Sequence, residues 1–234
     1  MKAALYLIPV TLGDTLHDKV FPSYNIKVIE QIKYFIVENI REARRFLRKA
    51  SPSIVIDDLT FYELNKHTLP TEVSTYLKPL EKGEPMGVIS DAGCPGIADP
   101  GADVVMMAQE KGLKVVPLIG PSSITLSIMS SGFNGQSFAF NGYLPIKAPE
   151  RLKMIKKMEE RIYKEAQTQL FIETPYRNDK LLSELLISCQ PMTKLCIACN
   201  VTCDDEYIRT LTIKKWKKQK LEIGKRPTIF LLYK

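Results

Sequence analysis

The chain has 234 residues, 45% apolar and 25% charged, with a formal net charge of +7. That is the balance of a soluble globular protein of one large or two small domains. No apolar run is long enough to span a bilayer, no cleaved leader is expected, and five cysteines exclude a complete disulfide framework. A cytoplasmic location follows by default.

Ala3 to Val10 is nearly continuous in apolar residues and reads as a first parallel strand. The loop Thr11-Leu12-Gly13-Asp14 follows it. Asn25 to Arg48 reads as helix, with Ile26, Ile29, Ile32 and Ile36 at helical spacing and an interruption near Glu38-Asn39-Ile40-Arg41. On residue type alone, Glu38 and Arg41 are helix surface charges. Ser53 to Asp57 reads as a short strand, and Thr71 to Leu80 as a helix between Pro70 and Gly83. The strand at Met86 comes next, then a helix over Asp103 to Lys111 stopped by Gly112, then a strand over Lys114 to Leu118. This alternation implies a parallel sheet with helices on both faces.

Gly120-Pro121-Ser122-Ser123 should open a helix, with proline in its first position. Free N–H groups there could hold an anion. Further strands are expected over Ser137–Tyr143, Gln169–Glu173, Leu195–Asn200, Tyr207–Thr212 and Thr228–Tyr233. An amphipathic helix over Arg151–Glu165 carries Leu152, Ile155, Met158 and Ile162 on one side. A boundary near Pro117 to Gly120 gives domains 1–118 and 119–234, with no internal repeat and no low-complexity linker.

The organising stretch is Gly87 to Gly101, where the apolar run Met86 to Ile89 meets a loop of Gly, Pro and Asp. That is how a buried parallel strand ends at the carboxyl edge of a sheet, where open α/β sheets bind ligands. Gly93, Gly96 and Gly101 permit positive φ and close backbone approach. Pro95 and Pro100 stiffen the loop. Asp91 and Asp99 bring acceptors that suit ribose hydroxyls or a cationic ligand. Taken alone, the loop is equally an ordinary strand-to-helix connection.

Cys196, Cys199 and Cys203 suggest a metal cluster at first sight, but a structural zinc needs about four ligands. The two histidines, His17 and His67, are far away in sequence and read as surface or loop residues. Buried thiols and no metal are expected. Much of the basic excess lies in Lys214-Lys215-Trp216-Lys217-Lys218-Gln219-Lys220 and Lys225-Arg226. That segment could meet phosphates, with Trp216 stacked on a base, or it is a solvated helix face.

Ser90-Asp91-Ala92-Gly93-Cys94-Pro95-Gly96-Ile97-Ala98-Asp99-Pro100-Gly101 resembles the signature of the tetrapyrrole methylase superfamily of S-adenosylmethionine (SAM)-dependent methyltransferases. The resemblance is greatest to the branch that methylates ribosomal RNA on ribose. Val116 to Thr125, Gly142-Tyr143-Leu144-Pro145 and Glu173-Thr174-Pro175-Tyr176-Arg177 are similar to three further blocks of that branch, in the same order. Pro9 and Gly13 match its first loop, and Glu38 and Arg41 match a cleft motif whose middle residues differ from Asn39 and Ile40. Cys199-Asn200-Val201-Thr202 replaces the branch's Arg-Glu-Leu-Thr, which puts the RNA substrate in doubt more than the cofactor.

The resemblance implies two α/β domains, the second smaller with a mixed sheet, a ligand cleft between them, and a homodimer. It implies SAM as methyl donor, bound by Asp91, Gly93, Ile97, Ala98, Ser122, Ser123, Glu173 and Ala198. Catalytic residues stay open, with Glu38 and Arg41 as weak candidates and Glu38, Asp91, Asp99 and Glu173 as carboxylates that could act as base. RNA would meet the basic C-terminal segment. The competing readings are a corrin- or porphyrin-type small-molecule methyltransferase and a non-catalytic SAM-binding protein.

Overall fold

The structure, a computed structural model, describes residues 1–65 and 68–234. His67 lies outside the described residues. The chain divides into two compact units, residues 1–122 and 123–234.

In the first unit, β1 (Leu5–Ile8), β2 (Tyr34–Val37), β3 (Thr60–Glu63), β4 (Met86–Ile89) and β5 (Val115–Pro117) form a sheet in the order β3-β2-β4-β1-β5. Every pairing is parallel, with Leu5 level with Met86 and Ile8 level with Ile89. Such a sheet needs cover on both faces, which is why β1 and β4 are apolar at almost every position. Helices α1 (His17–Val20), α2 (Ser23–Ile29) and α3 (Ile40–Ala50) follow β1 and β2. Val28, Ile29, Ala43 and Leu47 from α2 and α3 bury against Tyr6, Ile8, Phe35 and Val37. On the other face α4 (Pro70–Tyr76), α5 (Lys78–Glu81) and α6 (Ala102–Glu110) pack Val73, Leu77, Leu80 and Val104 against Leu5, Ile36, Met86 and Val88.

Three expectations for this unit need correction. The helix expected over Asn25 to Arg48 contains a strand: Tyr34-Phe35-Ile36-Val37 pairs with both β3 and β4. Two aromatic and two β-branched side chains suit a pleated, buried position. The strand expected over Ser53 to Asp57 is absent. A 3-10 turn over Ile56–Asp58 stands there, and the edge strand is Thr60–Glu63. The single helix expected over Thr71 to Leu80 is two, α4 and α5, because Pro79 has no N–H for the helical ladder.

In the second unit, α7 (Ser123–Ser131) leads to β6 (Phe138–Tyr143), α8 (Ala148–Glu165), β7 (Thr168–Ile172), α9 (Asn178–Ser188), β8 (Lys194–Cys199), β9 (Tyr207–Thr212), α10 (Ile213–Trp216) and β10 (Thr228–Tyr233). The sheet order is β6-β7-β10-β8-β9, with β6 and β7 parallel and the rest antiparallel. The α7 face buries Ile128, Leu170, Cys196, Ile229 and Leu231. The opposite face buries Ile155, Met158 and Ile162 of α8 and Leu181 and Leu185 of α9 against Phe171, Leu195, Ile197 and Phe230. Alternate residues of β8 and β10 thus supply two different cores.

Pro121 does not begin the helix expected there; α7 starts at Ser123. Gly120 lies so close to Pro9 that an added Cβ would fall 2.4 Å from the Pro9 Cβ. The Pro121 carbonyl accepts the Cys94 thiol at 3.5 Å. These contacts hold residues 120 and 121 against the first unit's loops before the helix can start.

Candidate functional site

The sheet of the first unit opens a crevice between β4 and β1. β1 and β4 are neighbours, yet the chain leaves β1 for the face of α2 and α3 and leaves β4 for the face of α6. The loops at their carboxyl ends therefore diverge, and ligands of open α/β sheets sit at such points. Gly87–Gly101 ends there as expected. The Val10 N–H donates to the Gly93 carbonyl at 2.9 Å, joining the first loop to the signature loop. Gly93, Gly96 and Gly101 adopt φ of 69°, 77° and 125°, and Ala98 shares the left-handed region at 62°.

A cavity of about 460 Å³ opens beside this junction. Its walls are Thr11 to Asp14, Glu42, Arg45, Phe46 and Lys49 of α3, and Ser90 to Ala92, with His17 at the rim of an aromatic group formed with Phe21 and Phe46. His17 Nδ1 is buried without a hydrogen-bond partner, and burial lowers the imidazole pKa. A surface or loop histidine was expected; the ring is instead half-buried in this aromatic group.

Three carboxylates meet at the same edge. Glu38 follows β2 and accepts a hydrogen bond from the Asp91 backbone N–H. Desolvation, then the charges of Asp91 and Asp99, push the Glu38 pKa up. Burial, then Asp91, push Asp99 up to about 6, and the Ser90 side chain hydrogen-bonds it. Partial desolvation also raises the pKa of Asp91, although its side chain is exposed, and Glu42 adds to the effect. Like charges held together resist ionising together. Glu38 is therefore not a helix surface charge, because β2 carries it to the sheet edge. Arg41 is one: it lies exposed in the first turn of α3.

The other candidates divide between the units. Asp91, Gly93, Ile97, Ala98 and Ser122 belong to the first, with Asp91 and Ile97 exposed and Gly93 buried. Ser123 is the first residue of α7. Glu173 is buried, and its Oε1 accepts from the Thr174 N–H at 2.6 Å and from Arg177 at 2.7 and 3.0 Å. Ala198 is buried in β8, level with Ile229 and Ile208.

No family model matches the chain. Curated relatives do. A Halalkalibacterium halodurans protein named ribosomal RNA small subunit methyltransferase I is 27% identical over 80% of this chain and 60% of its own length. Its Vibrio cholerae namesake is 30% identical over 78% and 59%. A Buchnera aphidicola namesake is 25% identical over 97% and 77%. The chain thus spans about three fifths of the first two relatives. Among solved structures, the methyltransferase CobJ matches with a TM-score of 0.64 at 14% identity, over 99% of this chain and 94% of that one. Uroporphyrin-III C-methyl transferase from Thermus thermophilus, complexed with S-adenyl homocysteine, matches at 0.58 and 15%, over 99% and 97%. The chain is thus similar in sequence to these ribosomal RNA methyltransferases and shares the fold of the two solved methyltransferases.

The chain departs from the ribosomal RNA branch that it resembles, and the structure explains part of the departure. Asn39, one of the two residues that differ from the cleft motif, caps α3 by accepting from the N–H groups of Arg41 and Glu42 at 2.9 and 3.3 Å. An asparagine performs that task as well as an aspartate. The Cys199 to Thr202 segment is a self-bonded turn. Asn200 and Thr202 have φ of 47° and 77°, Asn200 donates to Asp205 at 2.7 Å, and the Thr202 N–H donates to Glu206 at 2.7 Å.

One further expectation changes, and the buried thiols stand. Trp216 cannot stack on a base, because it is 1% exposed and its Nε1–H donates to the Leu195 carbonyl at 2.8 Å. Its neighbours Lys214, Lys215, Lys217, Lys218 and Lys220 are exposed. Cys196 and Cys199 serve opposite faces of β8, so they cannot converge on one ion, and burial raises both thiols. Sequence reasoning singled out Arg41 but missed Arg44, Arg45 and Arg48, which follow it at three- and four-residue spacing, the available signal.

Proposed function

We propose that this protein is a SAM-dependent methyltransferase that methylates the 2′-hydroxyl of a ribose in ribosomal RNA. The observation that carries the reading is the signature loop at the β1/β4 crevice, with its positive-φ glycines and clustered carboxylates. The name shared by the curated relatives supports RNA as acceptor. The S-adenyl homocysteine in the Thermus structure supports SAM as donor. The residues fit such a molecule: backbone at Gly93 can approach closely, and exposed Asp91 is available to hydroxyls.

SAM supplies a methyl group on a sulfonium, open to in-line displacement by an acceptor oxygen. The chain must align the two and keep water out, which can lower the barrier by about 7–11 kcal/mol. The acceptor hydroxyl must lose its proton to a base. Asp99, held at about 6, is ionised at neutral pH and yet more basic than an ordinary aspartate. We assign it that role ahead of Glu38. Asp91, Gly93, Ile97, Ala98 and Ser122 of the first unit, with Ser123, Glu173 and Ala198 of the second, would contact the donor. Glu173 acts there through its grip on Arg177.

The exposed lysines of α10 and the turn after it are available to phosphates. Among the described residues no helix is long and apolar enough to cross a membrane. The same reading makes the protein a cytoplasmic homodimer. Likeness to the methyltransferase CobJ and the uroporphyrin enzyme at 14–15% identity carries the fold alone. The test is incubation with methyl-labelled SAM and unmodified small ribosomal subunits. Label on a ribose of the RNA is expected, and label absent from RNA but present on a tetrapyrrole would overturn the acceptor.

A further inference from the structure

Helix α3 presents four arginines on one side. Arg41, Arg44, Arg45 and Arg48 recur at three- and four-residue spacing, while Ala43, Leu47 and Ala50 bury the opposite side in the first unit's core. The ridge rises about 10 Å from Arg41 to Arg48 at roughly 1.5 Å per residue. A groove of about 580 Å³ lies along it, lined by Ile40 and these four arginines alone. Arg44 is paired with Asp57 at 2.7 Å and Arg45 with Glu42 at 3.0 Å, both in solvent. Such exposed pairs are weak and readily exchanged for another anion. Among the described residues, Arg41 and Arg48 have no ion-pair partner.

The ridge is joined to the candidate site. Arg45 lines both this groove and the cavity that reaches Asp91. We propose that α3 is an RNA-backbone rail: phosphates of the acceptor strand lie in the arginine groove and lead a nucleotide into the cavity beside Asp91. This rests on the RNA reading above and names the surface that serves it. Guanidinium forks suit phosphate oxygens. A membrane surface suits the ridge poorly. Among these groove residues only half-buried Ile40 is apolar, so the ridge has no apolar face to insert.

The test uses the full chain and a labelled short single-stranded RNA oligonucleotide, titrated by fluorescence anisotropy at several salt concentrations. Each phosphate contact in a single strand contributes about 0.7 to the slope of log affinity against log salt. Arg45→Ala with Arg48→Ala is expected to flatten the slope by about 1.4, and Arg48→Ala alone by about 0.7. Both side chains are exposed, and circular dichroism checks that the fold is kept. An unchanged slope overturns the rail. So does a parent that binds phosphatidylserine vesicles but not RNA. The methyl-transfer assay separates the two readings. A parent that labels ribosomal RNA while the double variant keeps its slope overturns the rail only. A parent whose RNA slope responds to the arginines but which transfers no methyl overturns the enzymatic reading only.

Discussion

Asp99 shows how a single side chain can couple the fold to its chemistry. Burial and the Asp91 charge hold its pKa near 6 against an ordinary 3.8. It therefore binds its proton more tightly folded than unfolded. Its contribution to stability is complete below about pH 4 and is lost as pH rises through about 6. Asp99→Asn should be more stable than the parent at neutral pH by about 1–2 kcal/mol, allowing for solvent screening of a half-buried group. Near pH 4 the two should match. Urea unfolding at both pH values measures this, and a gap that ignores pH would mean that the carboxylate's charge is not its cause. Methyl transfer, if Asp99 is the base, should rise with pH through the same region and be lost in the variant. Gly93 makes a second residue-scale test. Its φ is 69°, and an added Cβ would lie 3.1 Å from Leu12 Cδ2 and 3.6 Å from the Pro121 oxygen. Valine there is strained by about 1–3 kcal/mol. We expect Gly93→Val to stay folded by circular dichroism and to lose SAM binding by calorimetry. Full binding would remove the signature loop from the site.

Among the elements, α8 and α9 are locked by one ion pair. Arg151 is 4% exposed and donates from Nε and Nη2 to Glu184 at 2.5 and 2.6 Å, and from Nη1 to the carbonyls of Pro145 and Ile146. Its hydrogen bond to Glu184 holds that carboxyl below the usual range. Deleting one partner strands the other, so Glu184→Ala should cost about 3–5 kcal/mol in urea unfolding. Replacing both by apolar residues should restore much of that, and a loss equal to the single variant's would refute the stranded-charge account. Nothing local announces this pair, because its partners stand 33 residues apart. The same limit explains which elements were legible. Met86–Ile89 and Thr228–Tyr233 are central strands whose unbroken apolar runs report their burial directly. Tyr34–Val37 was hidden because Ile36 falls in step with Ile26, Ile29 and Ile32, although the chain turns between them. Thr60–Glu63 is an edge strand, half-exposed, and only its pairing with β2 defines it. At the site, the glycines and aspartates of the signature loop were readable from their special backbone needs. Asp99's raised pKa was not, since it depends on neighbours brought in by other strands.

The whole molecule carries two separate cores, one for residues 1–122 and one for 123–234. The proposed donor contacts are drawn from both. Asp91 to Ala98 lie in the first unit, and Ser123, Glu173 and Ala198 in the second. A ligand that binds only the folded state adds about 2.7 kcal/mol at a hundred times its Kd, and it adds this to whichever part must be ordered to bind it. Hydrogen exchange reads that division, because each amide reports the opening that exposes it. With saturating SAM, slowed exchange is expected at the backbone amides of Asp91 to Ala98. If the second unit contributes as proposed, it is also expected around Ser123 and at the end of β8 near Ala198. Ala198 is the sharper probe. It lies inside a fully paired strand, where exchange without ligand is already slow, so further protection would mean that opening of the second unit itself had become rarer. Protection confined to the first unit would strike Ser123, Glu173 and Ala198 from the donor site and leave the signature loop as its sole support.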